Sequence, residues 1–179
     1  MLNVKASGDS CGGVIEVIAK GVPAGLGEPV FDKLSATIAH GLMSIGGVKG
    51  IEFGEGFELA RKKGSESNDT PYFDEKTGKI RFRTNRAGGV LGGISTGEEI
   101  RVRVAVKPTP TIMLEQETVN VSTLQSVTHR FTSRSDPSLC PRIYPVCEAM
   151  VRIAILDAIY IANGYRSVAQ NIDPRWEEL

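Results

Sequence analysis

Residues 86–111 read RAGGVLGGISTGEEIRVRVAVKPTPT, and how this stretch divides decides the fold. Five of its first twelve residues are glycine, the mark of turns or close backbone approaches rather than of a regular element. From Glu98 the pattern changes to alternation. Ile100, Val102, Val104 and Val106 take one parity and Arg101 and Arg103 the other, so EEIRVRVAVKP predicts a strand with an apolar inner face and a basic outer one. It ends at Lys107, beside two prolines.

Outward from that strand the chain alternates strands and helices. GGVIEVIAKG (12–21) reads as a strand with Val14, Glu16, Ile18 and Lys20 on a mixed face and Ile15, Val17 and Ala19 on an apolar one. PVFDKLSATIAHGLMSIGG predicts an amphipathic helix from Pro29, with Phe31, Leu34, Ile38, Leu42 and Ile45 on its apolar stripe and Gly46-Gly47 as its stop. VKGIEFG is a short strand, FELARKKG a helical turn or two, and residues 64–78 an exposed polar connector. KIRFRT is a further strand, and two more are expected across TIMLEQETVNVSTLQSV (111–127). The last helix is expected from Pro145 to Ala162, closed by Asn163-Gly164. It is apolar on most of its circumference, which predicts burial on several sides, beneath a sheet or between two.

The whole chain, 179 residues with 41% hydrophobic content, reads as one domain able to bury a core. Twenty-one basic and 21 acidic residues cancel, which argues against a general attraction to nucleic acid or anionic membrane. Cys11, Cys140 and Cys147 show no metal-ligand or CxxC spacing, and no metal is expected. With no secretory signal and no apolar run of membrane-spanning length, the expected location is cytosolic, or a plastid if a transit segment is missing.

Charge is uneven within the neutral total. Lys79, Arg81, Arg83, Arg86, Arg101, Arg103 and Lys107 meet only Glu98 and Glu99 between positions 79 and 107. Two readings stand at this point. The glycine amides and cations form a local anion site, or the glycines serve tight packing and the arginines a solvated face. The run is neither GxxxxGK[ST] nor a well-placed GxGxxG. A second constellation, RFTSRSDPSLCPRIYP (130–145), gathers Arg130, Arg134 and Arg142 around Asp136. That aspartate either holds an arginine fork or moves a proton.

GVPAGLGEPVFDKL, MSIGGVKGIEFGEGF, AGGVLGGISTGEEI, VKPTPT, SRSDPSLCPR and PVCEAMV follow one another here in the order and approximate spacing found in chorismate synthases. The resemblance covers nearly the whole chain, but only the C-terminal part of that family's length. The family's SHG and GHAD-type histidine motifs belong to the N-terminal part and do not occur here. The resemblance implies an α+β fold, a β-α-β sandwich with helices between antiparallel sheets, in a homotetramer. It also implies a phosphate lyase that converts 5-enolpyruvylshikimate 3-phosphate to chorismate with reduced FMN, NADPH being one candidate reductant of the flavin.

By motif the resemblance assigns the flavin site to Gly46, Gly47, Gly92, Lys107, Pro108, Thr109, Pro110, Thr111 and Arg134. Gly46-Gly47 stands where the family often has Asn-Ala, so contacts there would run through the main chain. Arg134 is placed between flavin and substrate as the substrate-binding arginine, and Asp136 as the catalytic aspartate that assists proton removal. His40, on the apolar helix, and His129, near a strand end, lie in no catalytic histidine motif. The chain therefore predicts most of a flavin half-site with little acid–base machinery, inactive by itself. The alternative is a non-catalytic assembly or binding module that retains the fold.

Overall fold

The alternation at 100–106 becomes the central strand of the main sheet. The computed structural model describes residues 1–132 and 136–172. In chain order its elements are α1 (Leu2–Ala6), β1 (Gly13–Ala19), α2 (Leu34–Met43), β2 (Val48–Phe53), a 3-10 helix (Gly56–Arg61) and α3 (Gly64–Ser67). Then come β3 (Pro71–Asp74), β4 (Lys79–Phe82), β5 (Val90–Leu91), β6 (Ile94–Ser95), β7 (Ile100–Val106), β8 (Glu115–Asn120), β9 (Gln125–Arg130) and α4 (Cys140–Ile172). β7 lies antiparallel between β1 and β2, with Gly13 and Val48 both opposite Val106. The pairs β3–β4, β5–β6 and β8–β9 are two-stranded hairpins. The architecture is α+β, a three-stranded antiparallel sheet with α2 and α4 packed on one face and three hairpins beside it.

The inner face of β7 anchors the core. Ile100, Val102 and Val104 are wholly buried and Val106 nearly so, each contributing roughly 1.5–3 kcal/mol by leaving water. Ile15 and Val17 of β1 join them, while Val14 and Ile18 face outward, as the parity requires. From above, α2 contributes Leu34, Ile38 and Leu42 at successive turns. α4 contributes Ile143, Cys147, Val151 and Ala154. Burial pushes the Cys147 thiol above its ordinary pKa, which suits a core residue.

Several boundaries differ from the sequence expectation, each for a physical reason. α2 begins at Leu34 rather than Pro29, because Val30 adopts a φ of 70° and the Leu34 amide donates outside the helix, to Gly93 O at 2.7 Å. Phe31, expected on the buried stripe, is 86% exposed. α4 starts five residues before Pro145 and runs through Asn163-Gly164, since a lone glycine costs a helix only about 1 kcal/mol. It is buried on one side only, with Val146, Ile153, Leu156 and Tyr160 exposed on the other. The connector at 64–78 supplies α3 and β3 and is largely exposed. The second strand expected within 111–127 instead reaches Arg130, which leaves His129 next to last in β9, edge-on to Phe131.

Candidate functional site

At the Val106 end of the sheet, three loops meet. α2 stops at Ser44 and the chain turns through Gly46-Gly47. Gly47 has a φ of 91°, and a Cβ there would come within 3.1 Å of the Leu139 side chain, so this turn requires glycine. The Lys107 amide donates to Gly47 O at 2.9 Å and ties the KPTPT loop to that turn. The Thr109 hydroxyl donates to Asp136 O at 3.2 Å, and Ser10 Oγ donates to Thr109 O at 2.6 Å. Cys11 N donates to Pro137 O at 2.8 Å and closes the ring of loops. Gly46, Gly47, Lys107–Thr111 and Asp136 thus come together as a set; Arg134 lies outside the described residues.

Within this cluster the side chains divide by commitment. Arg142 Nε donates to Asp136 Oδ2, so one carboxylate oxygen is held by a guanidinium from the first turn of α4. That bond orients the carboxylate, and among the described residues Oδ1 has no hydrogen-bond partner. The Lys107 ammonium makes no ion pair among the described residues, and the Thr111 hydroxyl makes no hydrogen bond there. An added Cβ at Gly46 would meet nothing within 4 Å, so its backbone can be approached closely. An ammonium, a hydroxyl and bare backbone form a donor set that suits an anionic ligand.

Ser10 was missed in the sequence. Its only local signal is the small, turn-rich SGDSCGG run ahead of β1.

Gly92 does not join the cluster. It sits in the two-residue turn between β5 and β6, where Gly92 and Gly93 take φ of 60° and 94°. Gly93 O receives the first amide of α2, so Gly92 lies a full helix length, about 15 Å, from Gly46. Gly88 and Gly89 serve packing instead. A Cβ on Gly88 would collide with the Gly54 amide, and one on Gly89 with the Glu99 carbonyl.

Four of the arginines of the basic run are paired with carboxylates away from this cluster. Arg81 forks Glu98 at 2.6 and 2.9 Å, Arg101 meets Glu99 at 2.8 Å, and Arg103 meets Glu52 at 2.8 Å. Arg86 reaches Glu55 at 3.2 Å, and Arg83 stacks over Tyr72. The hydrogen bond from Lys62 comes first in holding the Glu55 carboxyl below its ordinary range, and the Arg81 fork does the same for Glu98. Arg81, Arg86, Arg101, Arg103, Glu55 and Glu98 line an open cleft of about 800 Å³ in which acids and bases balance. Part of the excess charge along the sequence is offset in space by Glu52 and Glu55, which lie outside the run and meet Arg103 and Arg86.

Residues 1–160 match the family model described as chorismate synthase, which is most of the chain. The chain belongs to the chorismate synthase family. It is 70% identical over 176 residues to the chorismate synthase of Acetivibrio thermocellus, covering 98% of this chain and 45% of that protein. The chorismate synthase of Archaeoglobus fulgidus is 53% identical over 154 residues, covering 86% of this chain and 42% of its own length. A crystal structure of chorismate synthase superposes with a TM-score of 0.69 at 37% identity, over 87% of this chain and 39% of that one. The chain therefore spans less than half the length of the chorismate synthases it matches. No helix among the described residues is long and apolar enough to cross a membrane.

Proposed function

We propose that this chain supplies the flavin-binding and proton-accepting half of a chorismate synthase. The enzyme is a cytoplasmic homotetrameric lyase that eliminates phosphate from 5-enolpyruvylshikimate 3-phosphate to give chorismate. The observation that carries the proposal is the convergence of Lys107–Thr111, Gly46-Gly47 and Asp136 through Lys107 N to Gly47 O and Thr109 Oγ1 to Asp136 O. When bound, reduced FMN supplies the electron density that lets the allylic C–O bond break, with NADPH a candidate source of its electrons.

Each residue then has a task its geometry permits. Lys107 and Thr111 bind polar groups of the flavin, and Gly46-Gly47 lets it lie against the main chain. Asp136 accepts a proton at Oδ1 while Arg142 holds Oδ2, so the carboxylate stays oriented through the step. Arg134 precedes Asp136 by two residues and is assigned to the substrate through the family motif. The leaving phosphate and the lost proton balance the elimination, with no net oxidation.

The test combines reduced FMN and 5-enolpyruvylshikimate 3-phosphate without oxygen and follows phosphate release. The protein completed to family length turns over, and the 179-residue chain binds FMN weakly and does not. Tight stoichiometric FMN binding by the short chain, or phosphate release by it, overturns the division of labour proposed here.

A further inference from the structure

We infer that the outer edge of β1 pairs with the same edge of a second copy of the chain, joining two three-stranded sheets into one antiparallel sheet of six. β1 is an end strand, with β7 on one side only. No hydrogen bond from another described residue reaches Gly13–Ala19 from the other side. Such a row of amides and carbonyls is a template for another strand. The opposite edge, β2, is blunted by a bulge between Val48 and Gly50 and by Lys49. β1 has an unbroken register of seven residues, GVIEVIA, with no proline, lysine or bulge within it. Beside this edge runs a groove of about 370 Å³, lined by Ile18, Ala19, Arg152, Ile155, Leu156 and Ile159. A strand added to β1 would cover it.

The sequence selects a second copy as that strand. Directly opposed residues of an antiparallel pair share a face, so a two-fold axis normal to the sheet must pass midway between a residue and its own copy. An axis at Glu16 sets two carboxylates against each other. An axis at Ile18 sets Glu16 opposite Lys20 of the second copy, Val17 opposite Ala19, and Ile18 opposite itself, with each ion pair made twice. Lys20, just past the strand, now meets Glu99 at 3.3 Å with its side chain 73% exposed, a contact weak enough to exchange. This pairing deepens the homo-oligomer proposed above, and its test lets the two fail separately.

Ile18→Cys in the 179-residue chain, treated with a mild thiol oxidant, cross-links two copies, because residues at the axis sit about 4.5–5.5 Å apart, within disulfide reach. Val14→Cys does not, since its two copies lie eight residues apart along the strands, about 27 Å. The parent chain, treated alike, controls for Cys11, Cys140 and Cys147, and circular dichroism checks that each variant folds as the parent does. By sedimentation, Glu16→Lys and Lys20→Glu each weaken association about tenfold. The double exchange restores it. If the Ile18→Cys variant forms an oligomer that fails to cross-link, the edge pairing is overturned and the assembly stands. A chain that is monomeric at every concentration overturns both. Failure of the double exchange to restore association overturns the register. In the protein completed to family length, an Ile18→Cys variant left unlinked because another strand covers β1 overturns the pairing as well.

Discussion

The basic run from Lys79 to Lys107 splits into two populations that the sequence does not distinguish. Away from the loop cluster, Arg81, Arg86, Arg101 and Arg103 each meet a carboxylate. At the Val106 end, Lys107 meets none among the described residues and stands beside Gly47, Thr109 and Asp136. Density of positive charge is common to both; the difference is commitment. A cation already forked by a glutamate has committed its hydrogen-bonding geometry, whereas one without a partner can take an anionic ligand.

The most forceful test of that contrast lies at the aspartate. In the protein completed to family length, Asp136→Asn lowers turnover by about 10²–10⁴, the usual worth of a positioned proton acceptor, with FMN affinity kept. Single-turnover rates measured beside flavin titration decide it. Parallel loss of flavin binding would make Asp136 a loop-ordering residue held by Arg142 and nothing more. Arg142→Gln separates the two roles further. It keeps the carboxylate but releases its grip on Oδ2, so turnover falls less than in Asp136→Asn and Arg142→Lys recovers part of the loss.

Lys107→Ala comes next in size. Removing a charged donor from an anion costs about 10–100-fold in affinity, read by fluorescence titration of FMN. A change under threefold would mean that Lys107 is a solvated lysine after all, and the contrast between the two populations would collapse.

The paired population makes its own prediction, in stability rather than binding. Glu98 accepts the Arg81 fork and the Phe82 amide, and so pins the β3–β4 hairpin to the main sheet. Its carboxyl is held below the ordinary range, chiefly by that fork. A depressed acid stabilises the fold above its unfolded value, about 4.3, and loses that contribution as pH falls through the lower folded value. Glu98→Gln therefore lowers Tm by about 2–4 °C at neutral pH, discounted for the solvent around Arg81, and the gap between variant and parent closes in acid. A gap unchanged at about pH 3, below that unfolded value, would show that the fork contributes nothing.

What was legible in the sequence follows the range of the interactions involved. The parity of β7 and β1, and the spacing of Leu34, Ile38 and Leu42, are local, and each side chain went to the face its position dictated. The start of α2 was not legible, because Gly93, far along the chain, accepts the first helical amide. Nor was the pairing of Arg103 with Glu52, which needs β2 to lie beside β7. The loop cluster was readable only through motif resemblance. No spacing rule joins residues 46, 107 and 136, which meet because α2 and β7 end, and α4 begins, at the same edge. The exposed side of α4 has the same origin, since an apolar circumference predicts burial without saying which polypeptide covers it.

The smallest expected effect is the most exacting test. Arg101 lies on β7, six residues before Lys107 in the same basic run, and meets Glu99 at 2.8 Å on an exposed face. Exposed pairs of this kind contribute little, because solvent screens them and two long side chains must be ordered. Arg101→Gln should therefore leave FMN affinity unchanged and move Tm by no more than about 1–2 °C, while Lys107→Ala in the same protein loses flavin. Glu99 keeps Lys20 as a second partner, so removing Arg101 strands no carboxylate. If Arg101→Gln weakens FMN binding as much as Lys107→Ala does, local charge density rather than the uncommitted side chain attracts the anion. The outer cleft would then have to be counted as part of the site.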